Sequence, residues 1–403
     1  ILKSRKFLIS SNIKESKEKE IEVRPEFFMI DMTNKCNLRC NYCLRNLEQE
    51  ENCISTEKLR DIGKFITTYC DEYKIANISV QAWGGEPLLE KNKIIALTKF
   101  ITPQKTKVHY SIETNATLLT NDVIEELYKN HIGIGISIDG DRKCHDLQRT
   151  FVSGKGSYDT VKKNLLQAQR YYKNKIGTIT TITKQTAVHI EKIIEHLVLD
   201  LHISNIKLNF VHASTYTHGQ NQCLNTQEIA DTELRILYKI IELQERGYDV
   251  MEHNIFIKLK NLLFREYADI CLSCGCCGGE KMIVFDMDGN IYPCELTDDA
   301  SFVIGSIYKK ESLIEQIKMT IDKDKAFFKM KKAVECEKCY WKFFCRGGCT
   351  VRALSEKRQM EVIDIDHIEC AINQVLYPAL MELVLRKPHI VNQMLGEDLL
   401  VDE

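Results

Sequence analysis

The chain has 403 residues, 44% hydrophobic and 28% charged, and its 55 basic and 57 acidic side chains leave a formal net charge of −2. A chain of that length makes one large domain plus a second, or a large barrel with an appendage, and its charge balance excludes binding of nucleic acid by bulk attraction. With 6 prolines and 19 glycines it has no composition for long disordered tracts; no apolar run reaches the ~18 residues of a membrane span, and the start ILKSRKFLISSNIKESKEKE is too charged for a signal peptide.

Residues 1–24 read as a polar lead-in. Six short runs then alternate in the β manner: FFMIDM at 27–32, NISVQAW at 77–83, KVHYSIE at 107–113, IGIGISID at 132–139, TITTIT at 178–183 and IKLNFV at 206–211. Between them lie helix-like stretches, among them TNDVIEELYKN, capped by Thr120 or Asn121, and YDTVKKNLLQAQRYY. Strands and helices in strict alternation predict an α/β fold with a parallel sheet, flat or curled into part of a barrel, with ligands at the strands' C-terminal ends. A long amphipathic helix is predicted over 231–246, with Leu234, Leu237, Tyr238 and Ile241 on one face and Gly247 as its stop. A hairpin, MIVFDMDGNIYPC, follows with Asp288-Gly289 at its turn. The rest of the C-terminal third reads as loops with little core, a region for metal to hold together, before a final helix and polar tail.

Cysteine is the compositional outlier, with 17 residues. Without a signal peptide, clustered thiols point to metal rather than disulfides. Three lie together at Cys36, Cys40 and Cys43; Cys53, Cys70, Cys144 and Cys223 are scattered and read as small buried hydrophobes; the other ten fall between Cys271 and Cys370. The C-x3-C-x2-C spacing of the first group places three thiolates on a tight loop, able to hold three irons of a [4Fe–4S] cube and leave the fourth open. Zinc prefers four ligands and C-x2-C pairs, and fits less well.

That spacing, with Tyr42 before the last cysteine and a strand before the first, resembles the radical S-adenosylmethionine (SAM) superfamily. Several loops resemble its SAM-contacting segments: Gly84-Gly85-Glu86-Pro87 after the second strand, Asn115 after the third, Ser137 and Asp139 after the fourth, and Arg149 beyond. The resemblance implies that Tyr42 lies near the adenine, that the Gly-Gly-Glu-Pro backbone and Glu86 receive the methionine amino group, and that Arg149 pairs with its carboxylate. Cys336-x2-Cys339-x5-Cys345-x3-Cys349, with Cys294 before and Cys370 after, resembles the SPASM domain, which in that family holds two auxiliary [4Fe–4S] clusters. Carried over by position, Cys336, Cys339, Cys345 and Cys370 hold the outer cluster and Cys294 and Cys349 the inner one. Its remaining ligands come from Cys271, Cys274, Cys276 and Cys277, with Cys271 and Cys276 favoured. Glu295 stands where sulfatase-maturating relatives carry an aspartate base, and is one methylene longer.

The resemblance therefore implies an α/β fold, a partial (β/α)6 TIM barrel followed by a cysteine-rich SPASM domain. The expected divisions are a lead-in at 1–24, a radical SAM core at 25–235, a helical bridge at 236–265, the SPASM domain at 266–375 and a C-terminal helix and tail at 376–403. The implied cofactors are three [4Fe–4S] clusters and SAM. The implied activity is that of a cytoplasmic, anaerobic oxidoreductase that matures a ribosomal precursor peptide by forming cysteine thioethers, with flavodoxin or ferredoxin as electron donor. Formylglycine formation on a sulfatase and carbon–carbon cross-linking are the alternatives; a non-catalytic iron–sulfur scaffold has no use for Glu86 and Arg149. No nucleic-acid or membrane partner is expected. Residues 1–24 are too few for the winged-helix leader-binding domain common among such maturases, so either that domain has been removed or a separate protein supplies it.

Overall fold

The fold, taken from a computed structural model, is described for residues 23–45, 52–212, 222–264, 275–297, 300–322, 334–355 and 365–396. Its strands are β1 (Phe27–Thr33), β2 (Leu38–Cys40), β3 (Asn77–Gly84), β4 (Lys107–Thr114), β5 (Ile132–Ser137), β6 (Arg149–Phe151), β7 (Gly177–Ile182), β8 (Asn205–Phe210), β9 (Met251–Glu252), β10 (Met282–Phe285), β11 (Asn290–Tyr292) and β12 (Gly305–Ser306). All but β2 and β6 join one sheet of order β12-β11-β10-β1-β3-β4-β5-β7-β8-β9. The run from β10 to β9 is parallel throughout, and β10-β11-β12 is antiparallel. The six strands expected from alternation are therefore the central six of this sheet.

One face of the sheet carries the helices. Phe28, Ile30 and Met32 of β1 and Ile78, Val80 and Ala82 of β3 point to it and are buried against Leu59, Ile62, Ile66, Ile94 and Leu97. Each such aliphatic or aromatic side chain contributes about 1.5–3 kcal/mol on leaving water. The opposite face is far more polar. Register puts Asp31, Gln81, Ser111, Glu113, Lys207 and Asn209 on it, and puts Gly135 beside Glu113, where an added Cβ would lie 3.3 Å from Glu113 Cγ.

Among its described residues the cysteine-rich segment forms no sheet of its own. Its hairpin β10–β11 adds directly to β1, with Phe27 opposite Met282 and Ile30 opposite Phe285. The predicted turn forms there: Gly289 has φ +86°, and Asp286 Oδ1 accepts from the N–H groups of Asp288 and Asn290. The long helix starts earlier than expected, at Thr226, because Asn225 and Glu228 form a reciprocal capping box. Its buried side is set by Ile229, Ile236, Leu237, Ile240 and Leu243, whereas Tyr238 is 59% exposed. The helix His367–Arg386 crosses the division expected at 375 and packs on Thr226–Glu245. By length and composition alone it is long and apolar enough to cross a membrane, but it also buries Glu369 and Asn373. Of the scattered cysteines, Cys70 and Cys144 are buried as expected, while Cys53 and Cys223 are half-buried.

Helix Thr56–Tyr73 approaches helix Lys91–Phe100 at Gly63, where an added Cβ would lie 2.7 Å from Phe100 Cβ and 2.8 Å from its carbonyl oxygen. Backbone cannot yield as a side chain does. Gly63→Ala is expected to cost about 1–3 kcal/mol, read as a lower midpoint in urea unfolding; an unchanged midpoint would mean that the helices are free to move apart.

Candidate functional site

The first cysteine loop leaves the C-terminal end of β1 and is shaped before Cys36 is reached. Thr33 is fully buried; its hydroxyl donates to Asn52 O at 2.7 Å and accepts from Lys35 N–H at 3.1 Å. The loop then lies on the end of β3. Gly85 N–H donates to Thr33 O at 2.7 Å and Glu86 N–H to Lys35 O at 2.8 Å. The two glycines are required by this contact: a Cβ on Gly84 would lie 2.3 Å from Thr33 O, and one on Gly85 2.1 Å from Lys35 O.

Past the first cysteine, β2 pairs antiparallel with β6, bringing Cys40 opposite Arg149. Cys36 Sγ accepts from Leu38 N–H at 3.4 Å and from Asn115 Nδ2 at 3.8 Å. Asn115 also donates to Asn37 Oδ1 at 2.9 Å, and Asn37 Nδ2 to Thr117 Oγ1 at 2.7 Å, tying the loop to the end of β4. Burial pushes the Cys36 thiol up to about 11 and the Cys40 thiol up to about 12. Redox and nucleophilic cysteines have depressed values, so the loop by itself does not activate these thiols.

Glu86 is buried, and its carboxylate is engaged by the protein. Oε1 accepts from Leu88 N–H at 3.0 Å and Thr114 Oγ1 at 2.6 Å, and Oε2 from Asn115 N–H at 2.8 Å. Burial raises its pKa, against those three bonds. Glu86 is thus a brace between the glycine loop and β4, and Pro87 begins the short 3-10 turn that it caps.

Asp139, fully buried just past β5, collects the rest. Its Oδ2 accepts from Tyr42 OH at 2.7 Å, Gln148 Nε2 at 2.9 Å and Arg149 Nε at 2.8 Å, and its Oδ1 from Thr181 N–H at 2.9 Å. The Arg149 guanidinium lies over the Tyr42 ring, 5.4 Å from its centre. Burial opposes the Arg149 charge, but Asp139, Tyr42 and Cys40 outweigh it and raise its pKa. With Nε held, its two Nη groups face no acceptor among the described residues, a geometry suited to a carboxylate. Ser137 ends β5, half-buried, on the polar face.

Several participants carry no motif. Gln148 and Asn37 are visible in sequence only as neighbours of Arg149 and Cys36. His145 is buried, its Nδ1 accepting from Asp139 N–H at 3.3 Å while its Nε2 lies 2.9 Å from Ser157 Oγ. Ser157 Oγ donates to Arg149 O at 2.7 Å, so Nε2 carries the proton and donates to Ser157.

The second cysteine region repeats the N–H to sulfur turn seen at Cys36. Cys294 Sγ accepts from Leu296 N–H and Cys339 Sγ from Trp341 N–H, both at 3.4 Å; Cys276 and Cys345 receive the N–H groups of Gly278 and Gly347. Cys276 lies near enough to Cys349 to act on its charge, and Cys370 is similarly placed against Cys336 and Cys339. Burial raises Cys276 and Cys370, and pushes Cys345 and Cys349 up to about 11. Cys271 and Cys274 lie outside the described residues. Among those described, no three His, Cys, Asp or Glu side chains gather closely enough for a single metal ion. Cysteine is the donor on offer throughout, and a [4Fe–4S] cluster takes its protein ligands as cysteine thiolates. Cys294 Sγ lies 3.2 Å from Glu295 Oε2, and Glu295 in turn acts on Glu113 inside the barrel. Burial raises the Glu113 pKa and Glu295 adds to it, while Lys207 and a bond from Gln81 oppose the rise.

Residues 30–197 match the family model described as Radical SAM superfamily. The chain is 26% identical over 327 residues to a cysteine-type anaerobic sulfatase-maturating enzyme of Clostridium novyi, covering 79% of this chain and 85% of that one. It is 25% identical to a serine-type anaerobic sulfatase-maturating enzyme of Bacteroides thetaiotaomicron, covering 78% and 80%. Its fold matches that of native anSMEcpe with bound AdoMet and Cp18Cys peptide at a TM-score of 0.76 and 20% identity, over 90% of this chain and 99% of the other. Streptococcus suis SuiB bound to S-adenosylmethionine matches at 0.63 and 18%, over 86% and 77%.

Two predictions follow from the site. Gly85→Ala drives a Cβ into Lys35 O, so the cysteine loop must move: after anaerobic reconstitution the variant is expected to carry less iron than wild type while the circular dichroism spectrum stays the same. Full iron loading would show that the loop has slack. The second concerns His145, whose pKa burial lowers from 6.5 to about 4. Below pH 6.5 the unfolded chain takes up a proton that the folded site refuses, so stability falls as pH drops toward 4 and levels off below. The loss is on the order of 3 kcal/mol. Denaturant unfolding at pH 7 and pH 5 should show a larger drop for wild type than for His145→Gln; equal drops would refute it.

The chain is thus an enzyme that carries a radical SAM domain at residues 30–197, in a fold shared with anSMEcpe and SuiB.

Proposed function

We propose that the chain is a peptide maturase that oxidises a cysteine-bearing peptide and joins the cysteine sulfur to a carbon of another residue. The observation that carries this reading is the placement of two thiol sites about one polar barrel face. The Cys36–Cys43 loop leaves the end of β1, and Cys294 packs against Met29 and Trp83 of that same face. A substrate held there lies between them.

Cys36, Cys40 and Cys43 would hold a [4Fe–4S] cluster, which with SAM supplies the 5′-deoxyadenosyl radical. The chain's own residues position and shield. Arg149, fixed through Nε by Asp139, offers its Nη groups to the methionine carboxylate. Tyr42, held by the same carboxylate, covers the arginine. The glycine loop presses its backbone on the cysteine loop, and Glu86 keeps it there. Joining sulfur to carbon removes two hydrogens from the peptide. One would leave as an atom to the radical so supplied; the other would leave as a proton, with Glu295, which lies beside Cys294, as the candidate acceptor, and the remaining electron would pass to a one-electron acceptor. In this reading two auxiliary clusters are held, one by Cys336, Cys339, Cys345 and Cys370, the other by Cys294 and Cys349 with Cys276 and Cys271. The proximity of Cys276 to Cys349 supports the choice of Cys276. An electron donor of the flavodoxin or ferredoxin kind and a leader-binding domain belong to the same proposal.

Formylglycine formation is the second reading, favoured by the similarity to two kinds of sulfatase-maturating enzyme. Mass spectrometry separates the two. A thioether peptide has lost two hydrogens and no longer reacts with a thiol-alkylating reagent; a formylglycine peptide has lost its sulfur and is captured by a hydrazide.

Replacing Cys36, Cys40 and Cys43 together by alanine is expected to abolish 5′-deoxyadenosine formation after dithionite reduction and to remove about a third of the reconstituted iron, one cube of three. Persistent SAM cleavage would mean that the catalytic cluster lies elsewhere; loss of all iron would mean that the second region does not hold clusters independently.

A further inference from the structure

β2 and β6 form a two-stranded ribbon of their own beside the first cysteine loop, with Cys40 opposite Arg149 and Arg39 opposite Thr150. Opposed residues of an antiparallel pair share a face. The face of Cys40 and Arg149 is the inner one, since Arg149 is buried against Asp139. Arg39 and Thr150 therefore stand on the outer face. Two large apolar side chains flank that face in water: Val152 is 59% exposed and Leu147 51%. Both residues are tied to the cysteine loop. Val152 N–H donates to the carbonyl of Asn37, next to Cys36, and the Leu147 carbonyl accepts from Nδ2 of Asn41, next to Cys40, each at 3.3 Å.

The free charge around them is positive. Lys143 lies four residues before Leu147, on the same side of helix Arg142–Gln148, and Lys155 stands in the turn that follows Val152. Both lysines are exposed, and neither has an ion-pair partner among the described residues. Arg39 lies on the loop itself, its Nη1 donating to Cys36 O at 2.9 Å and to Leu38 O at 3.1 Å. The neighbouring carboxylates are engaged: Asp141 accepts from Cys144 N–H, Asp146 from Tyr158 N–H, and Asp159 pairs with Arg142.

A small apolar contact inside a charged rim is the anatomy of a transient interface. A stable dimer buries about 800 Å² on each partner, more than strands of three residues and one turn of helix supply. A substrate worked on the barrel's polar face lies on the other side of the ribbon. What has to reach the cysteine loop from outside is an electron, and a donor docked on the outer face is one ribbon's thickness from Cys40. A basic rim selects an acidic donor. An apolar contact suits a donor whose redox group shows an apolar edge at its surface, as the dimethylbenzene ring of a flavin does.

We infer that the outer face of the β2–β6 ribbon docks an acidic flavodoxin, with Val152 and Leu147 against the flavin edge and Lys143, Lys155 and Arg39 steering its carboxylates. This rests on the reading above that Cys36, Cys40 and Cys43 hold the catalytic cluster, and deepens it by giving the donor a place. One electron passes from the reduced flavin to that cluster, and no bond is made or broken.

The test uses the full-length, reconstituted enzyme with SAM, a purified bacterial flavodoxin with its reductase and NADPH, and dithionite as a second reductant. Lys143→Glu with Lys155→Glu reverses the rim, and Val152→Asp spoils the apolar contact. These side chains are exposed, so the unfolding midpoint should stay as in wild type. Binding is read directly, by calorimetry with oxidised flavodoxin. The Kd is expected to rise about tenfold for either variant, and high salt should shrink the difference for the lysine variant while leaving that for Val152→Asp. 5′-Deoxyadenosine formation should fall with flavodoxin and keep its wild-type rate with dithionite, which needs no docking surface. If both variants bind flavodoxin as tightly as wild type, or wild type does not bind it, the docking surface is wrong, and dithionite-driven activity leaves the cluster assignment standing. The surface is equally wrong if the variants lose binding of a ferredoxin and keep that of flavodoxin, or if they lose the dithionite-driven rate as well. If wild type makes no 5′-deoxyadenosine with dithionite, the cluster assignment falls and the docking surface with it.

Discussion

One buried carboxylate organises the half of the site around the first cysteine loop. Asp139 sits at the end of β5 with no exposed surface and accepts from Tyr42, Gln148, Arg149 and Thr181. A carboxylate in such a place is tolerable only with a counter-charge and a full set of donors. Arg149 supplies the first and the remaining bonds complete the second. The arrangement couples the cysteine loop, the β6 hairpin and β7, so none can shift without leaving a buried charge short of a partner. His145 Nδ1 accepts the backbone N–H of Asp139, and its Nε2 reaches Arg149's carbonyl through Ser157. The geometry of Arg149 is fixed from both ends, by its side chain and by its backbone.

Behind the second cysteine region a different network does comparable work. Lys258 and Glu369 form a buried ion pair with Asn373 alongside, and Arg352 bonds Asp366 at 2.7 Å. Asp366 also accepts the N–H of Cys349, at 2.7 Å. Trp341 stacks on Tyr377, whose hydroxyl meets Asn261. Buried ion pairs contribute little net stability compared with apolar packing, but they are strict about geometry. Here they hold Cys345 and Cys349 against the helix His367–Arg386. The expectation of a loop region with little fabric of its own was therefore incomplete: part of its fabric is ionic, and ionic partners far apart in sequence have no periodicity to betray them.

Features set by near neighbours were legible in the sequence; features set by distant partners were not. Strand alternation depends on residues i and i+2, so β1, β3, β4, β5, β7 and β8 were visible, as was the turn at Gly289. Cysteine spacing is local too, and it located both thiol regions. Long-range pairing has no such trace. Nothing in MIVF says that β10 joins β1, and nothing in Glu86 says that its carboxylate accepts from Leu88, Thr114 and Asn115. Helix faces fall between. The face through Leu234, Leu237, Tyr238 and Ile241 is half right: Leu237 and Ile241 are buried, but Tyr238 is exposed, and Ile236 and Ile240 are buried beside them.

The position of β10 has a consequence for the whole molecule. β1 lies between β3 and β10, and all three run parallel. The C-terminal end of β1 carries the Cys36–Cys43 loop and that of β3 the Gly84-Gly85 turn, while β10 turns through a tight hairpin and β11 runs back antiparallel along it to Cys294. Three segments from distant parts of the sequence are thus tied to one run of paired strands, and their separations are set by backbone hydrogen bonds rather than by side-chain packing between two domains. A hinge between barrel and cysteine-rich region would let the two thiol sites drift. A shared sheet does not, because displacing Cys294 relative to Cys36 requires breaking the β1–β10 ladder. Radical chemistry on a bound chain needs that fixity, since an ångström of misplacement at the reacting carbon lets the radical take the wrong hydrogen. The cysteine-rich region gives up a strand to the barrel, and the barrel in return fixes the distance across which the substrate is worked.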